Sequence, residues 1–215
     1  MEALIYKVYP YFSAPFRGRR MKRFLDLFNP SSGTTILDVG GYPLTWKGIK
    51  SKPSVTVLNI HPIDYALGPD DPPISTVIGN GCSLDFPDKS FDIIFCNSVI
   101  EHVSTWERQQ ELARECRRVG KSLWIQTPAR SFFIEPHLLT PFIHYLPRNL
   151  QRRLMRNFTL WGLLSRPTPE RVDELMAEIR LLNRREMACL FPDCDLTKER
   201  VLGLVKSYIA VRKVV

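Results

Sequence analysis

Two short clusters of glutamate and histidine are the side chains best suited to move a proton. Glu101 and His102 adjoin each other, and Glu135 and His137 flank a single proline. A general base is most often a His, Asp or Glu held near the reacting atom, so these four residues are the catalytic candidates. Because proline fixes its own backbone angle, Glu135 and His137 can be held rigidly toward one substrate.

Other interpretations of the same residues stay open. His102 could instead begin a helix or bond to Asn97, and Glu135 could form an ion pair with Arg130. As a metal site Glu135-Pro136-His137 is poor, since no third ligand has the needed spacing. The five cysteines also lack C-x-x-C spacing, which favours free thiols. The sequence therefore predicts no bound metal.

A glycine turn marks a second candidate site. Asp38-x-Gly40-Gly41 directly follows the apolar run "TTILDV", and Asn59 ends the next run, "VTVLNI", 21 positions after Asp38. A tight glycine turn after a strand, with a polar side chain about 20 residues later, is typical of dinucleotide or nucleoside sites. This spacing predicts a nucleoside-containing ligand.

Short apolar runs must position these clusters. Each predicts a buried strand of a parallel sheet, with helices on both faces. The five runs are 34–39, 54–60, 74–78, 90–96 and 122–127. Two later runs, 193–200 and 206–214, are separated by a short link and predict an antiparallel hairpin.

Three helix starts are readable between and after the strands. Ser104-x-x-Glu107 predicts a capping box for a helix that Gly120 ends, with an apolar face of Leu112, Ala113, Cys116 and Val119. Thr168 before Pro169 predicts a second helix, and Asn183-x-x-Glu186 a third.

These elements predict one domain over residues 1–215, because 44% apolar content suits a single core. We divide it into an N-terminal helical cap (1–33), a cofactor-binding core (34–128), a lid inserted after the fifth strand (129–183) and a closing helix with a hairpin (184–215). An open α/β sheet places its ligand at the carboxyl ends of its strands. The lid residues Arg130, His144 and Tyr145 are therefore substrate-binding candidates.

The order "ILDVGG…VTVLNI…VIGNGCSLDFPDKSFDIIFCNSVIEHV…RRVGKSLWIQTP" resembles the class I S-adenosylmethionine-dependent methyltransferases, in particular the type 11 group that includes ubiquinone/menaquinone C-methylase-like proteins. The resemblance covers about 34–128. It implies a Rossmann-like sheet of seven strands with an antiparallel last strand, and S-adenosylmethionine as cofactor. The positions that match the cofactor motifs are Asp38, Gly40, Gly41, Asn59, Asn80, Gly81 and Asn97.

This sequence departs from the family pattern at the cofactor motifs. Tyr42 and Leu44 stand at glycine positions, and Asn59 and Asn80 replace acids. An amide oxygen can still accept from a ribose hydroxyl or an adenine amino group. S-adenosylmethionine carries no phosphate, so a phosphate-cradling loop is dispensable. Aromatic faces can also attract a sulfonium, for which Tyr11, Phe12, Tyr42 and Trp46 are candidates. The alternative, which we favour equally, is that these side chains pack the N-terminal helix against the sheet.

Motifs that the sequence lacks restrict the class of molecule that could accept the methyl group. Methylases that act on the amino groups of DNA or RNA bases carry Asn/Asp-Pro-Pro-aromatic after the fourth strand, whereas this chain has "CNSVIEHV". We therefore expect methyl transfer to an O, N or C atom of a small, apolar or lipid-like acceptor. The alternatives are an RNA-directed methyltransferase, favoured only by the net charge of +8, and a non-catalytic partner protein of the same fold.

The segment 147–166 is basic and amphipathic. Leu150, Leu154, Phe158 and Trp161 recur at helical spacing beside Arg152, Arg153 and Arg156. Such a helix can lie on an anionic membrane surface or simply cover an apolar core. No run of about 18 apolar residues and no secretory signal is present. The sequence predicts a cytoplasmic protein with peripheral membrane contact, and it does not predict the oligomeric state.

Overall fold

The computed structural model describes residues 2–66 and 68–214, and the side chains of these residues from 14 onward. Nine strands form two sheets. They are β1 Thr35–Val39, β2 Ser54–Asn59, β3 Ile74–Ile78, β4 Phe91–Asn97, β5 Gly120–Pro128, β6 Ile134–Glu135, β7 Thr140–Pro141, β8 Asp195–Val201 and β9 Leu204–Arg212.

The main sheet has seven strands in the order β3-β2-β1-β4-β5-β9-β8. β1 to β5 run parallel, and β9 is antiparallel to both β5 and β8. This confirms the predicted Rossmann-like sheet and its closing hairpin. Asp38 pairs with Val57 on one side and Phe95 on the other, so the glycine turn begins at the centre of the sheet.

Six helices accompany the strands. They are α1 Glu2–Phe28, α2 Trp106–Val119, α3 Arg148–Phe158, α4 Leu160–Ser165, α5 Pro169–Glu178 and α6 Arg184–Leu190. The predicted caps of α5 and α6 are confirmed, and α6 has the full Asn183–Glu186 capping box. The predicted cap of α2 is wrong by one residue: the Thr105 side chain accepts from Arg108 N, whereas Ser104 adopts a positive φ of 68°.

The expected alternation of strand and helix is not regular. Residues 40–53, between β1 and β2, form only a 3-10 turn at Pro43–Trp46, and the described part of 60–73 contains no helix. Pro62, Pro69, Pro72 and Pro73 lie in that second connection, where proline removes the N–H groups that a helix needs. β2 and β3 therefore form a thinly covered side of the sheet.

Apolar layers cover the two faces of the sheet. On one face, Phe24 of α1 packs edge-on against Phe95 and Trp124, with ring centroids 4.9 and 5.8 Å away. Trp46 is fully buried in this cluster, so of its two alternatives the structure shows core packing. On the other face, α2 and α6 bury Leu112, Cys116 and Leu190. The side chains of Tyr11 and Phe12 lie outside the described part of the chain.

The segment 129–183 folds as a small layer over the carboxyl end of the sheet. The β6–β7 ribbon and α3 to α5 enclose their own core of Leu138, Ile143, Met155, Trp161 and Val172. An ion pair between Arg152 and Asp173 ties α3 to α5. Leu182 lies beyond the end of α5 and bridges to Ala129. The segment thus returns to the point where it leaves β5.

Candidate active site

A cavity of about 400 Å³ lies at the carboxyl ends of β1 and β4, between the sheet, α1 and the lid segment. The sheet contributes Asp38, Gly40, Gly41 and Asn97 to its wall. Opposite them stand His102, His137, Trp161 and Glu178. The cavity therefore joins the predicted cofactor turn to two of the predicted catalytic residues.

The backbone of the glycine turn requires both glycines. Gly40 has a φ of +67°, and a Cβ there would lie 2.7 Å from Val99 Cγ1. A Cβ on Gly41 would lie 1.9 Å from Asp38 Oδ2. Tyr42 follows in extended conformation, and Pro43 then starts the 3-10 turn. The turn therefore forms without glycine at the Tyr42 and Leu44 positions.

Asp38 is a buried carboxyl group at the wall of this cavity. Trp46 Nε1 donates to its Oδ2 over 2.8 Å. Burial raises the pKa of Asp38 to about 7, although the Trp46 hydrogen bond acts in the opposite direction. A cation in the cavity would favour the ionised form of this carboxyl group.

The two asparagines that stand where the family has acids bond to nearby backbone groups. Asn59 Nδ2 donates to Gly41 O over 3.1 Å, and Asn59 Oδ1 accepts from Ile60 N. Asn80 Oδ1 accepts from Cys82 N. Gly81 packs against Val39 and Leu112. None of the three belongs to the described lining of the cavity. Their contact with a cofactor stays a prediction.

Asn97 differs from Asn59 and Asn80 in both its location and its hydrogen bonding. It lies at the end of β4 and lines the cavity. Its Oδ1 atom is buried and has no hydrogen-bond partner among the described residues. An unsatisfied buried acceptor costs about 1–3 kcal/mol, so this oxygen is a good attachment point for a ligand donor.

The two predicted catalytic clusters meet in space. His102 Nε2 lies 3.1 Å from His137 Nε2, and the rings are perpendicular. On their far sides, His102 Nδ1 bonds to Glu178 Oε1 and His137 Nδ1 to Glu135 Oε1, over 2.9 and 2.7 Å. The described residues thus form a chain of carboxylate, imidazole, imidazole and carboxylate.

The alternatives for these residues are resolved by their bonds. His102 bonds to Glu178 rather than to Asn97, and Glu135 pairs with His137 rather than with Arg130. Burial by itself lowers the pKa of His137, but Glu135 beside it raises that pKa above its ordinary value. The hydrogen bond from His102 lowers the pKa of Glu178. Glu178 was missed by the sequence analysis, since it belongs to the polar side of α5.

Glu101 lies behind the two histidines and is fully buried. Its Oε2 accepts from the Thr127 hydroxyl over 2.9 Å, while its Oε1 has no hydrogen-bond partner in the described chain. One ligand atom each of Glu101, His102 and His137 lie within 4.8 Å of one another. The sequence analysis did not foresee this grouping, because His102 and His137 are far apart in the chain; its prediction of no bound metal stays a prediction.

The predicted substrate residues lie elsewhere in the lid segment. Arg130 and His144 line a separate cavity of about 270 Å³, which Glu135 also borders. His144 Nε2 contacts Arg130 O, and burial lowers the pKa of His144. The half-exposed Tyr145 ring lies 4.1 Å from the His144 ring. The structure thus separates these residues from the His102–His137 pair, and their contact with substrate stays a prediction.

An apolar cavity of about 270 Å³ adjoins the main one. The two share Arg17, Arg20 and Ser98 in their walls. Its other walls are largely apolar and include Phe16, Phe132, Ile134, Leu139 and Leu160. A second molecule could therefore lie beside one held in the main cavity.

Comparisons with known proteins agree with this geometry. A family model described as "Methyltransferase domain" matches residues 49–123. No curated protein matches the chain. Among solved structures, a possible exported protein of Bordetella parapertussis is 13% identical, with a TM-score of 0.58 over 93% of this chain and 68% of that one.

Two further structures have the same fold. One belongs to a complex from Haloferax volcanii that contains the Trm112 methyltransferase activator; it is 11% identical, with a TM-score of 0.54 over 98% of this chain and 95% of that one. The other is the N-terminal domain of EvdMO1 with S-adenosylhomocysteine bound, 15% identical, with a TM-score of 0.50 over 92% and 80%. Residues 49–123 thus resemble a methyltransferase domain, and the chain has the same fold as these three structures.

Proposed function

We propose that this protein transfers the methyl group of S-adenosylmethionine to an O, N or C atom of a small, apolar or lipid-like acceptor. The observation that carries the proposal is the cavity that joins the glycine turn to the His102–His137 pair. Its volume of about 400 Å³ lies within the range of about 300–1,000 Å³ that small-molecule sites occupy.

The residues of the cavity fit this cofactor. The sulfonium and amino groups of S-adenosylmethionine are cationic, and Asp38 is a buried carboxyl group that a cation would stabilise. The unpartnered Asn97 Oδ1 can accept a hydrogen bond. The structurally similar EvdMO1 domain has S-adenosylhomocysteine bound, which is the demethylated product of this cofactor. That bound product supports the same use of the fold here.

The adjoining apolar cavity supports an apolar acceptor. Phe132, Ile134 and Leu160 line it, and it opens beside Ser98 at the main cavity. S-adenosylmethionine supplies an already activated methyl group. The protein must therefore hold the acceptor atom in line and, where that atom carries a proton, remove the proton. Alignment can supply about 7–11 kcal/mol of a reaction barrier.

His102 and His137 are the proposed proton acceptors. Both line the main cavity, and their Nδ1 atoms are held by Glu178 and Glu135. A ring that donates from Nδ1 to a carboxylate keeps its Nε2 available as a base. Glu135 and Glu178 are therefore positioning residues, and Glu101 lies behind the pair.

The experiment that tests the proposal is calorimetric titration with S-adenosylmethionine and with S-adenosylhomocysteine. We expect saturable binding of one molecule per chain at micromolar concentration. Incubation with methyl-labelled cofactor and pools of small acceptors should then place label in an apolar product. No binding of either ligand would contradict the proposal and favour a non-catalytic partner role, while label transferred to RNA would favour the RNA-directed alternative.

Membrane contact by the lid segment would bring a lipid-like acceptor to this cavity. On α3, Leu150 and Phe158 are exposed beside the exposed Arg153 and Arg156, while Met155 faces the lid core. None of the described helices combines the length and apolar content that a membrane span needs. Co-sedimentation with anionic vesicles should fall in a Leu150→Ser/Phe158→Ser variant, and unchanged co-sedimentation would remove this surface from the proposal.

A further inference from the structure

We propose that Glu101, His102 and His137 bind one divalent transition-metal ion of the zinc type at the inner wall of the main cavity. Two imidazoles and one carboxylate form a donor set that catalytic zinc uses in proteins. In this chain the three residues come from the end of β4 and from the lid segment, so the site forms only when the lid segment is folded onto the sheet.

The spacing of the nitrogens matches a shared metal ion. Zinc–nitrogen bonds are about 2.0–2.1 Å long, so two tetrahedral ligands lie about 3.3 Å apart. His102 Nε2 and His137 Nε2 are 3.1 Å apart, and a carboxylate oxygen of Glu101 lies within 4.8 Å of both rings' ligand atoms. The Glu101 carboxylate must therefore turn toward the two nitrogens to complete the ligand set.

Each of the three ligands is held by a second polar group. Glu178 bonds to His102 Nδ1, Glu135 to His137 Nδ1, and the Thr127 hydroxyl to Glu101 Oε2. Metal-binding histidines commonly donate their second ring N–H to a carboxylate, which fixes the tautomer and directs the other lone pair at the metal. Here both rings have that partner, and both Nε2 atoms face the same point.

Hydrogen bonds within the protein do not satisfy every polar atom of this cluster. Two Nε2 lone pairs that face each other need a cation between them, and one proton would satisfy that pair. With that proton in place, the buried Glu101 Oε1 still has no hydrogen-bond partner among the described residues. A metal ion satisfies both nitrogens and this oxygen at once, and its charge offsets the carboxylates of Glu101, Glu135 and Glu178.

The metal ion would be accessible from the main cavity, because His102 and His137 line it. Three protein ligands leave a fourth position for water or an acceptor oxygen. A hydroxyl bound there loses its proton to solvent more readily, since the ion lowers its pKa. A bound ion takes both Nε2 lone pairs, so in the metal-bound protein this loss of the proton replaces proton acceptance by His102 and His137. This role in catalysis rests on the proposed methyl transfer, whereas metal binding itself does not.

Zinc binding by the full chain tests the proposal. The protein is freed of metal with a chelator, and Zn²⁺ is titrated against a chromophoric competitor; Co²⁺ absorption then reports tetrahedral nitrogen and oxygen ligands. We expect one ion per chain. His102→Ala and His137→Ala should each weaken binding by about 100-fold or more, and Glu178→Gln by about tenfold, as for other residues that orient metal ligands.

Two controls keep the result interpretable. Glu101→Gln preserves the size of the buried side chain and its bond to Thr127, so weaker zinc binding in this folded variant reports a lost ligand. His61→Ala removes an exposed histidine outside the cluster and should leave zinc binding unchanged. Absence of stoichiometric zinc binding, or binding that survives His102→Ala and His137→Ala, overturns the proposal. Calorimetry with S-adenosylhomocysteine on the same metal-free protein tests the proposed function separately.

Discussion

The carboxyl ends of the strands form two regions that differ in how their polar side chains are satisfied. At the β1–β3 edge, comprising residues 40–42, 59–60 and 79–83, Asn59 and Asn80 bond to backbone groups of the same edge. At the β4–β5 edge, comprising residues 97–102 and 127–137, Asn97 and Glu101 each keep a buried oxygen without a partner in the described chain.

The difference indicates where ligands are recognised by side chains. A loop that satisfies its own amides holds its shape without a ligand, and it offers mainly backbone to whatever binds there. A buried oxygen without a donor lowers stability until a ligand supplies one. We infer that the β1–β3 edge chiefly provides shape, while the β4–β5 edge provides the polar contacts and the proton chemistry.

The largest expected effect concerns Asp38, at the junction of the two edges. Its pKa is about 7 in the folded chain, against an ordinary value of 3.8. The folded protein therefore binds this proton more tightly than the unfolded chain, and the stability that the proton confers is lost as pH rises from about 4 to above 7. Asp38→Asn should remove this loss, because an amide keeps the bond to Trp46 without ionising.

Urea unfolding of wild type and Asp38→Asn at several pH values measures the effect. At pH 8 the variant should be more stable by about 4 kcal/mol, and at pH 4 the difference should be close to zero. The same substitution should weaken binding of a cationic ligand. A difference in unfolding free energy that is independent of pH would show that Asp38 is ionised throughout this range.

Gly41→Ala should have the next largest effect, since it tests whether the β1–β3 edge provides shape. The added methyl group would overlap the Asp38 carboxylate. The packing around that carboxylate leaves it little room to move. We expect the free energy of unfolding to fall by about 3 kcal/mol in thermal or urea unfolding. Gly18→Ala is the matched control, because nothing lies within 4 Å of a Cβ at that position in α1. Equal effects of the two substitutions would contradict the described turn.

Asn59→Ala tests the same edge through hydrogen bonds. It removes the bonds to Gly41 O and Ile60 N, and each intramolecular hydrogen bond contributes about 1 kcal/mol. The free energy of unfolding should therefore fall by about 2 kcal/mol. Cofactor affinity, measured by calorimetry below the unfolding transition, should change little. A large loss of affinity with unchanged stability would instead place the ribose on Asn59, as the family resemblance implies.

The sequence predicted the sheet well because its strands are short apolar runs with local turn signals. It predicted the hairpin and the caps of α5 and α6 for the same reason. It was less informative on the connections: the proline-rich 60–73 was expected to follow a regular alternation, and its described part contains no helix. A single residue also decided the α2 cap, where the Thr105 hydroxyl caps the helix.

The candidate site shows a different limit. Glu101, His102, Glu135 and His137 were all identified from residue type, yet their arrangement was not. His102 and His137 are 35 positions apart, and only the return of the lid segment onto the sheet brings their Nε2 atoms together. The position of Trp46 was left open, because an aromatic side chain near a glycine turn can face either the ligand or the core. The burial of the side chain distinguishes these two positions, and the spacing of residues in the sequence does not reveal burial.

The smallest expected effect, at Asn97, tests the comparison from the other edge. Asn97→Ala removes a buried oxygen that has no partner in the described chain, so the free energy of unfolding should stay the same or rise. Affinity for S-adenosylhomocysteine should fall by about tenfold, the loss of one hydrogen bond of about 1.4 kcal/mol. Asn97→Asp keeps an acceptor and should restore most of that affinity. Because Asn59→Ala is expected to lower stability and spare affinity, the two alanine variants should show opposite patterns in the same two assays. If Asn97→Ala instead lowers stability and spares affinity, then Asn97 serves the fold, and the β4–β5 edge recognises its ligand through other atoms.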